Sequence, residues 1–113
     1  MLTLKIVAAA MAAMAMATPA MADGDAAHGE ALAFDRAKGN CLACHTMKGT
    51  DVAGNVGPEL NDMKARFPKA GDLAAILQDE ETRNPQTVMP AFGKNLILSD
   101  QEMRDIVAYL YTL

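Results

Sequence analysis

Apolar positions recur at helical intervals in several segments of this chain, and between those segments no period holds. The first segment runs from Ala26 to about Lys38. There Ala27, Ala31 and Phe34 share one face, and Gly39 stands where a helix stop is expected. Gly29, inside it, has two readings: a thin place where another helix crosses closely, or a residue that only weakens the helix. Leu60, Met63 and Phe67 suggest a short helix closed by Pro68. Asp72 is placed to cap the next helix, with Leu73, Ile76 and Leu77 facing inward and Asn84-Pro85 ending it. The last helix runs from Asp100 to about Tyr111. Ser99 and Glu102 form a capping box at its start, and Met103, Ile106, Val107 and Leu110 are its buried stripe. No alternating β pattern and no internal repeat interrupts this series. The expected architecture is a small all-α domain with long loops.

The loops change that picture most. Thr46 to Glu59 holds Gly49, Gly54, Gly57 and Pro58, and Gln86 to Leu98 is irregular around Pro90 and Gly93. Loops of that length are out of place in a compact domain unless they have a task. The chain has no Trp and only 4% aromatic residues, so it lacks the large side chains to fill a core alone. Both features suit a domain that folds around a large apolar cofactor.

Ahead of the first helix, Met1 to Ala22 reads as a secretory signal peptide. Lys5 is its positive end, Ile6 to Ala17 its uncharged apolar run, and Ala20-Met21-Ala22 a small-x-small cleavage site. The run is shorter than the roughly 20 residues of a spanning helix. The expected domain is therefore Asp23 to Leu113, exported to the periplasm, with no membrane span after cleavage. The net charge is −4, and basic tracts are missing, which argues against nucleic acid or an anionic membrane surface as partner.

The chemistry sits in Cys41-Leu42-Ala43-Cys44-His45. Two cysteines separated by two residues, with histidine next, is the attachment signature of a c-type haem. The thiols become thioethers on the porphyrin, and the histidine becomes the proximal iron ligand. Other readings of a Cys pair lack support. A thioredoxin-like site needs βαβ patterning, and a zinc site needs four ligands, while only His28 remains beyond the motif.

A proximal histidine needs an acceptor for its second ring nitrogen. The Pro58 carbonyl is the candidate, although the same spacing fits an ordinary turn proline. For the other axial position the candidates are Met47, Met63, Met89 and Met103. Met47 follows His45 too closely to reach the opposite haem face. Met63 and Met103 stand at core-facing helical positions. Met89 lies in a loop braced by Pro85 and Pro90, as a fixed thioether ligand requires, and it is the expected ligand. His28 reads as a solvated surface side chain. Lys48, Lys64, Arg66 and Lys69 could form a docking rim or be ordinary surface charges. No catalytic acid, base or nucleophile is evident.

The order of these blocks resembles class I cytochrome c. The details are narrower. Gly39 to His45, Gly57-Pro58-Glu59-Leu60, Met63 to Pro68, Asn84-Pro85, Met89-Pro90-Ala91-Phe92-Gly93, and Ile97 through Leu113 are similar to the SoxX subunits of SoxAX cytochromes. The resemblance implies a cytochrome c fold with one haem c, Cys41 and Cys44 as thioether sites, and His45 and Met89 as axial ligands. It implies a SoxA-type haem c subunit as partner, in a complex that joins thiosulfate to a carrier-protein cysteine (an L-cysteine S-thiosulfotransferase). This chain's haem would then pass electrons to a downstream cytochrome. Ala91 departs from the resemblance, which has a second proline there. Without the narrower resemblance, the same residues fit a free-standing periplasmic electron shuttle.

Overall fold

The computed structural model describes residues 24–50 and 53–113. The expected leader, Met1 to Ala22, and the domain boundary after it lie outside the described residues. The elements are α1 (Ala26–Phe34), a 3-10 turn (Cys41–Ala43), α2 (Met63–Arg66), α3 (Ala70–Asp79), a second 3-10 turn (Glu80–Thr82) and α4 (Asp100–Leu110). Among the described residues the sheet-like pairing is a single isolated bridge between Met47 and Leu60. The all-α expectation holds.

Helix α1 begins where Asp25 accepts the N–H groups of Ala27 and His28 at 3.0 and 3.1 Å. It stops at Phe34, short of the expected Lys38. Asp35 is the cause. Its Oδ1 accepts the Ala37 N–H at 2.8 Å, and its carbonyl accepts those of Lys38 and Asn40, so a local turn replaces the helix ladder. Gly39 does not end the helix. Its N–H returns to Leu32 O at 3.0 Å and closes the turn that delivers Cys41.

The buried face of α1 is also not the expected one. Gly29, Leu32 and Ala33 face inward, whereas Ala27 and Ala31 are exposed. An alanine-rich helix is apolar on every side, so its own period selects no face. The selection comes from α4, against which α1 packs. Gly29 resolves to the close-crossing reading. A Cβ there would overlap the Asp105 carbonyl group and lie 2.9 Å from Ile106 N. Phe34 meets Tyr109 edge-on nearby, with ring centroids 6.0 Å apart.

The crossing holds a buried carboxylate that the helical stripe does not announce. Asp105 is 3% exposed. Its Oδ1 accepts the Asp25 N–H at 2.8 Å and Gln101 Nε2 at 2.9 Å, and its Oδ2 lies 2.6 Å from His28 Nδ1. His28 stays at the surface as expected, its side chain 53% exposed, but it is moored to α4. Burial pushes the Asp105 carboxyl up, but the hydrogen bonds from His28, Gln101 and Asp25 outweigh it, and the group titrates below its ordinary 3.8. A carboxyl with a lowered folded pKa stabilises the fold above its unfolded pKa, and that stability is lost as pH falls through the folded pKa. Asp105→Asn should therefore cost about 1–3 kcal/mol at neutral pH. The gap to the parent protein should close as pH drops below about 4. Urea unfolding across a pH series checks both; a gap that persists undiminished into acid would contradict the account.

Helix α4 starts with the expected capping box: Ser99 Oγ accepts the Glu102 N–H at 3.1 Å, and Glu102 Oε1 accepts the Ser99 N–H at 3.0 Å. The Ser99 N–H and then Lys38 hold the Glu102 carboxyl below its usual range. Its stripe of Met103, Ile106, Val107 and Leu110 is buried as expected. Helix α3 starts earlier than Asp72 suggests. Lys69 occupies the cap position, and Asp72 lies in the first turn, where an acid favours the helix dipole. Leu73 and Leu77 of α3, with Met63 of α2, complete the core beside α4. Tyr111 Oη donates to Phe67 O at 2.6 Å and fastens the end of α4 over the short helix.

Candidate haem site

The attachment motif hangs from the turn that ends at Gly39. Asn40 takes a left-handed conformation (φ 48°), unusual for a residue with a Cβ but accessible to Asn, and turns the chain into Cys41. Cys41 to Ala43 then form one 3-10 turn, and the His45 N–H donates to Cys41 O at 2.9 Å. This winding places both cysteines and His45 on successive turns of a single short coil. Cys41 Sγ lies against the Gly39 backbone, where a Cβ would be only 3.1 Å from the sulfur. Burial pushes the Cys41 thiol up to about 11, Cys44 adding to the rise and a backbone hydrogen bond drawing it partly back.

The loop after the motif folds back onto it. The Gly54 N–H donates to Leu42 O and the Gly57 N–H to Cys44 O, both at 2.7 Å. Gly57 is required by what it faces, because a Cβ there would overlap the His45 imidazole. One residue further, Pro58 O accepts from His45 Nδ1 at 2.6 Å. The imidazole is thus held at one nitrogen, and Nε2 is left to coordinate. The Met47–Leu60 bridge secures the far end of this loop.

The four methionine candidates fall into two groups. Met47, Met63 and Met103 are 1%, 2% and 5% exposed and belong to the packed core. Met89 is half-buried against that core, and its N–H donates to Thr87 Oγ1 at 3.1 Å. Of the candidate rim charges, Arg66 is committed elsewhere: its Nη1 donates to the carbonyls of Glu59 and Asn61 at 2.9 and 3.1 Å. Lys48, Lys64 and Lys69 are exposed. The Cys41–Ala43 turn also walls a cleft of about 640 Å³ with Phe34, Arg36, Asn40, Ala53 and Gly54. His45, Cys44 and Met89 stand outside its lining, so the cleft is not the seat of the iron chemistry.

A family model for cytochrome c matches residues 26–113, which is every helix described above. The chain belongs to the cytochrome c family. As a cytochrome c it carries covalent haem c, and Cys41 and Cys44 fit the motif that takes it. The chain's own residues fit such a group: a paired thiol coil, an imidazole with one free nitrogen, and a glycine that lets the loop close on that ring and hold it. Its fold is similar to that in the crystal structure of SoxXA from P. pantotrophus, with a TM-score of 0.71 and 26% identity. That match covers 80% of this chain and 82% of the other. The cytochrome is also 37% identical over 82 residues to an uncharacterized lipoprotein of Aquifex aeolicus (strain VF5). That alignment takes in 66% of this chain, which spans only 36% of the relative's length. The likeness to SoxXA agrees with the resemblance to SoxX read from the loops. No helix among the described residues is long and apolar enough to cross a membrane.

Proposed function

We propose that this cytochrome c is a periplasmic monohaem electron carrier, the X subunit of a SoxXA-type complex that oxidises thiosulfate onto a carrier-protein cysteine. Its iron is ligated by His45 and Met89, with Cys41 and Cys44 as thioether sites and Pro58 as the proximal acceptor. The observation that carries the reading is the likeness to SoxXA over four-fifths of the chain at 26% identity. The site geometry supports its electron-transfer half. Haem supplies a one-electron couple when bound, and the protein's task is to let little move as the charge changes. Pro58 keeps the His45 ring from rotating, and its acceptor raises the basicity of the imidazole. Gly57 lets the loop backbone press on the ring face. A Met89 thioether on the iron would fill the position that a substrate would need and would favour a raised potential. No side chain is assigned a proton transfer, so chemistry on sulfur is left to the partner.

The partner is a larger SoxA-type haem c subunit, and a downstream cytochrome takes the electrons on. Export through the Met1–Ala22 leader fits a carrier whose relative is a lipoprotein. Native purification tests the assignment. The expected result is co-purification with a larger haem protein, together with a sulfur-to-iron absorption band in the oxidised state. Isolation as a monomer from cells that express such a partner would overturn the subunit reading.

A further inference from the structure

Both feet of the loop that carries Met89 stand at the C-terminal end of α3, one on its last turn and one on the 3-10 turn that follows. At the upstream foot, Glu80 O accepts the N–H groups of Arg83 and Asn84 at 3.0 and 2.8 Å. At the downstream foot, the Gly93 N–H donates to Leu77 O at 3.3 Å and the Lys94 N–H to Gln78 O at 3.1 Å. The carbonyls that a helix end leaves unpaired are thus taken up by the returning loop. Lys94 Nζ also lies 3.7 Å from Asp79 Oδ2. Between the feet, Asn84 to Val88 is mostly exposed and tied only to itself, Met89 packs partly on the core, and Ala91 and Phe92 are buried. The Thr87 N–H donates to Asn84 O at 3.0 Å, the Gln86 N–H to Asn84 Oδ1 at 3.1 Å, and the Met89 N–H to Thr87 Oγ1. The stretch upstream of Met89 has few contacts of its own and takes its stability from where it is fastened, which is the upstream foot.

Glu80 is an unusual fastening. Its side chain is 7% exposed, and Oε1 accepts from Arg83 Nε at 2.9 Å. Oε2 makes no hydrogen bond within the described residues. Arg83 is 60% exposed, and its guanidinium lies over the Phe67 ring, 5.9 Å from the centroid. A buried carboxylate served at one oxygen is a cost to the fold. Its one charge partner is what keeps it tolerable.

We propose that Glu80 and Arg83 are positioning residues for Met89. Their ion pair fixes the upstream foot of the loop at the 3-10 turn that follows α3, and so sets how often Met89 would leave the iron. The inference rests on Met89 being the axial ligand.

Imidazole binding to the oxidised holoprotein reports the open fraction, because apparent affinity scales with the population that is competent to bind. Arg83→Met strands the Glu80 carboxylate and should tighten imidazole binding about tenfold, a figure discounted because solvent screens a half-exposed pair. Amide exchange at Gly93 and Lys94 should quicken with it. The double variant Glu80→Gln/Arg83→Met buries no charge and should return most of the way to the parent affinity. His28→Ala, at the α1–α4 crossing, should lower the denaturation midpoint without changing imidazole affinity. Parent-like imidazole binding and parent-like exchange in Arg83→Met would overturn the inference. If Met89→Ala leaves the oxidised spectrum unchanged, the ligand assignment fails instead, and amide exchange still decides whether the pair holds the foot.

Discussion

Holoprotein carrying Met89→Ala is expected to lose the sulfur-to-iron band of its oxidised spectrum and to bind carbon monoxide rapidly once reduced. Its reduction potential should fall by on the order of 0.2 V, within the ~0.8 V that the choice of axial ligands spans. The size of the effect follows from the lack of a substitute. Met47, Met63 and Met103 are each buried in the core, and their sulfurs cannot reach the iron without unpacking it. His28, the histidine outside the motif, is held by Asp105 at the α1–α4 crossing. The variant iron would therefore take water or an added ligand. The fold should survive, because Met89 is only partly buried and its loop is fastened at Leu77, Gln78 and Glu80. An unchanged oxidised spectrum would refute the ligand assignment.

Gly29→Ala should produce a large loss of stability for a single added methyl. On propensity alone the change helps, since alanine is favoured over glycine inside a helix by about 1 kcal/mol. Packing reverses the sign. The added Cβ overlaps the Asp105 carbonyl, which is backbone within a helix and cannot swing aside as a side chain does. Helices α1 and α4 must separate, and the hydrogen bonds on Asp105 and the Phe34–Tyr109 contact loosen together. The net cost should be about 2–3 kcal/mol, in the range of an overpacked core. In a domain of this size that lowers Tm by roughly 10–20 °C. Gly71→Ala is the control: nothing lies near a Cβ at that exposed helical position, so Tm should hold or rise slightly. Equal melting of Gly29→Ala and the parent protein would mean that the crossing is not close.

How much of this could be read in the sequence depends on how far apart the interacting residues lie. The capping box at Ser99 and Glu102 is three residues long, and the α4 stripe repeats on a fixed period, so both were legible. The attachment motif is five consecutive residues and was legible for the same reason. Asp35 ending α1 is also a local event, but an Asp after an apolar run signals nothing by itself, and Gly39 gave the stronger punctuation. The face of α1 was not legible, because Ala27, Ala31, Leu32 and Ala33 are all apolar and only α4 chooses among them. Asp105 defeats a pattern reading outright. A charged residue in a helix is placed at the surface by default, and its burial depends on His28 and Asp25 at the other end of the chain. At the haem site the spacing allowed Pro58 as an acceptor or as a plain turn. The distance to His45 Nδ1 comes from Gly57, whose missing side chain lets the loop close over the ring. The footing of the Met89 loop on α3 left no trace in any local period, because Gly93 and Lys94 reach their acceptors only after the loop has returned.

His28 and Asp105 stand 77 residues apart, and the helices they join are the first and the last described. A polypeptide is made from its amino end, so α1 is synthesised long before the surface it packs on. Its nine residues are too few to hold a helix unaided. Until α4 emerges, Leu32 and Ala33 have nothing to be buried against, and the turn leading into Cys41 has no fixed base. Once the ends meet, Cys41 is half-covered. The arrival of the last helix therefore keeps time for the first, and it sets the base from which Cys41 is presented.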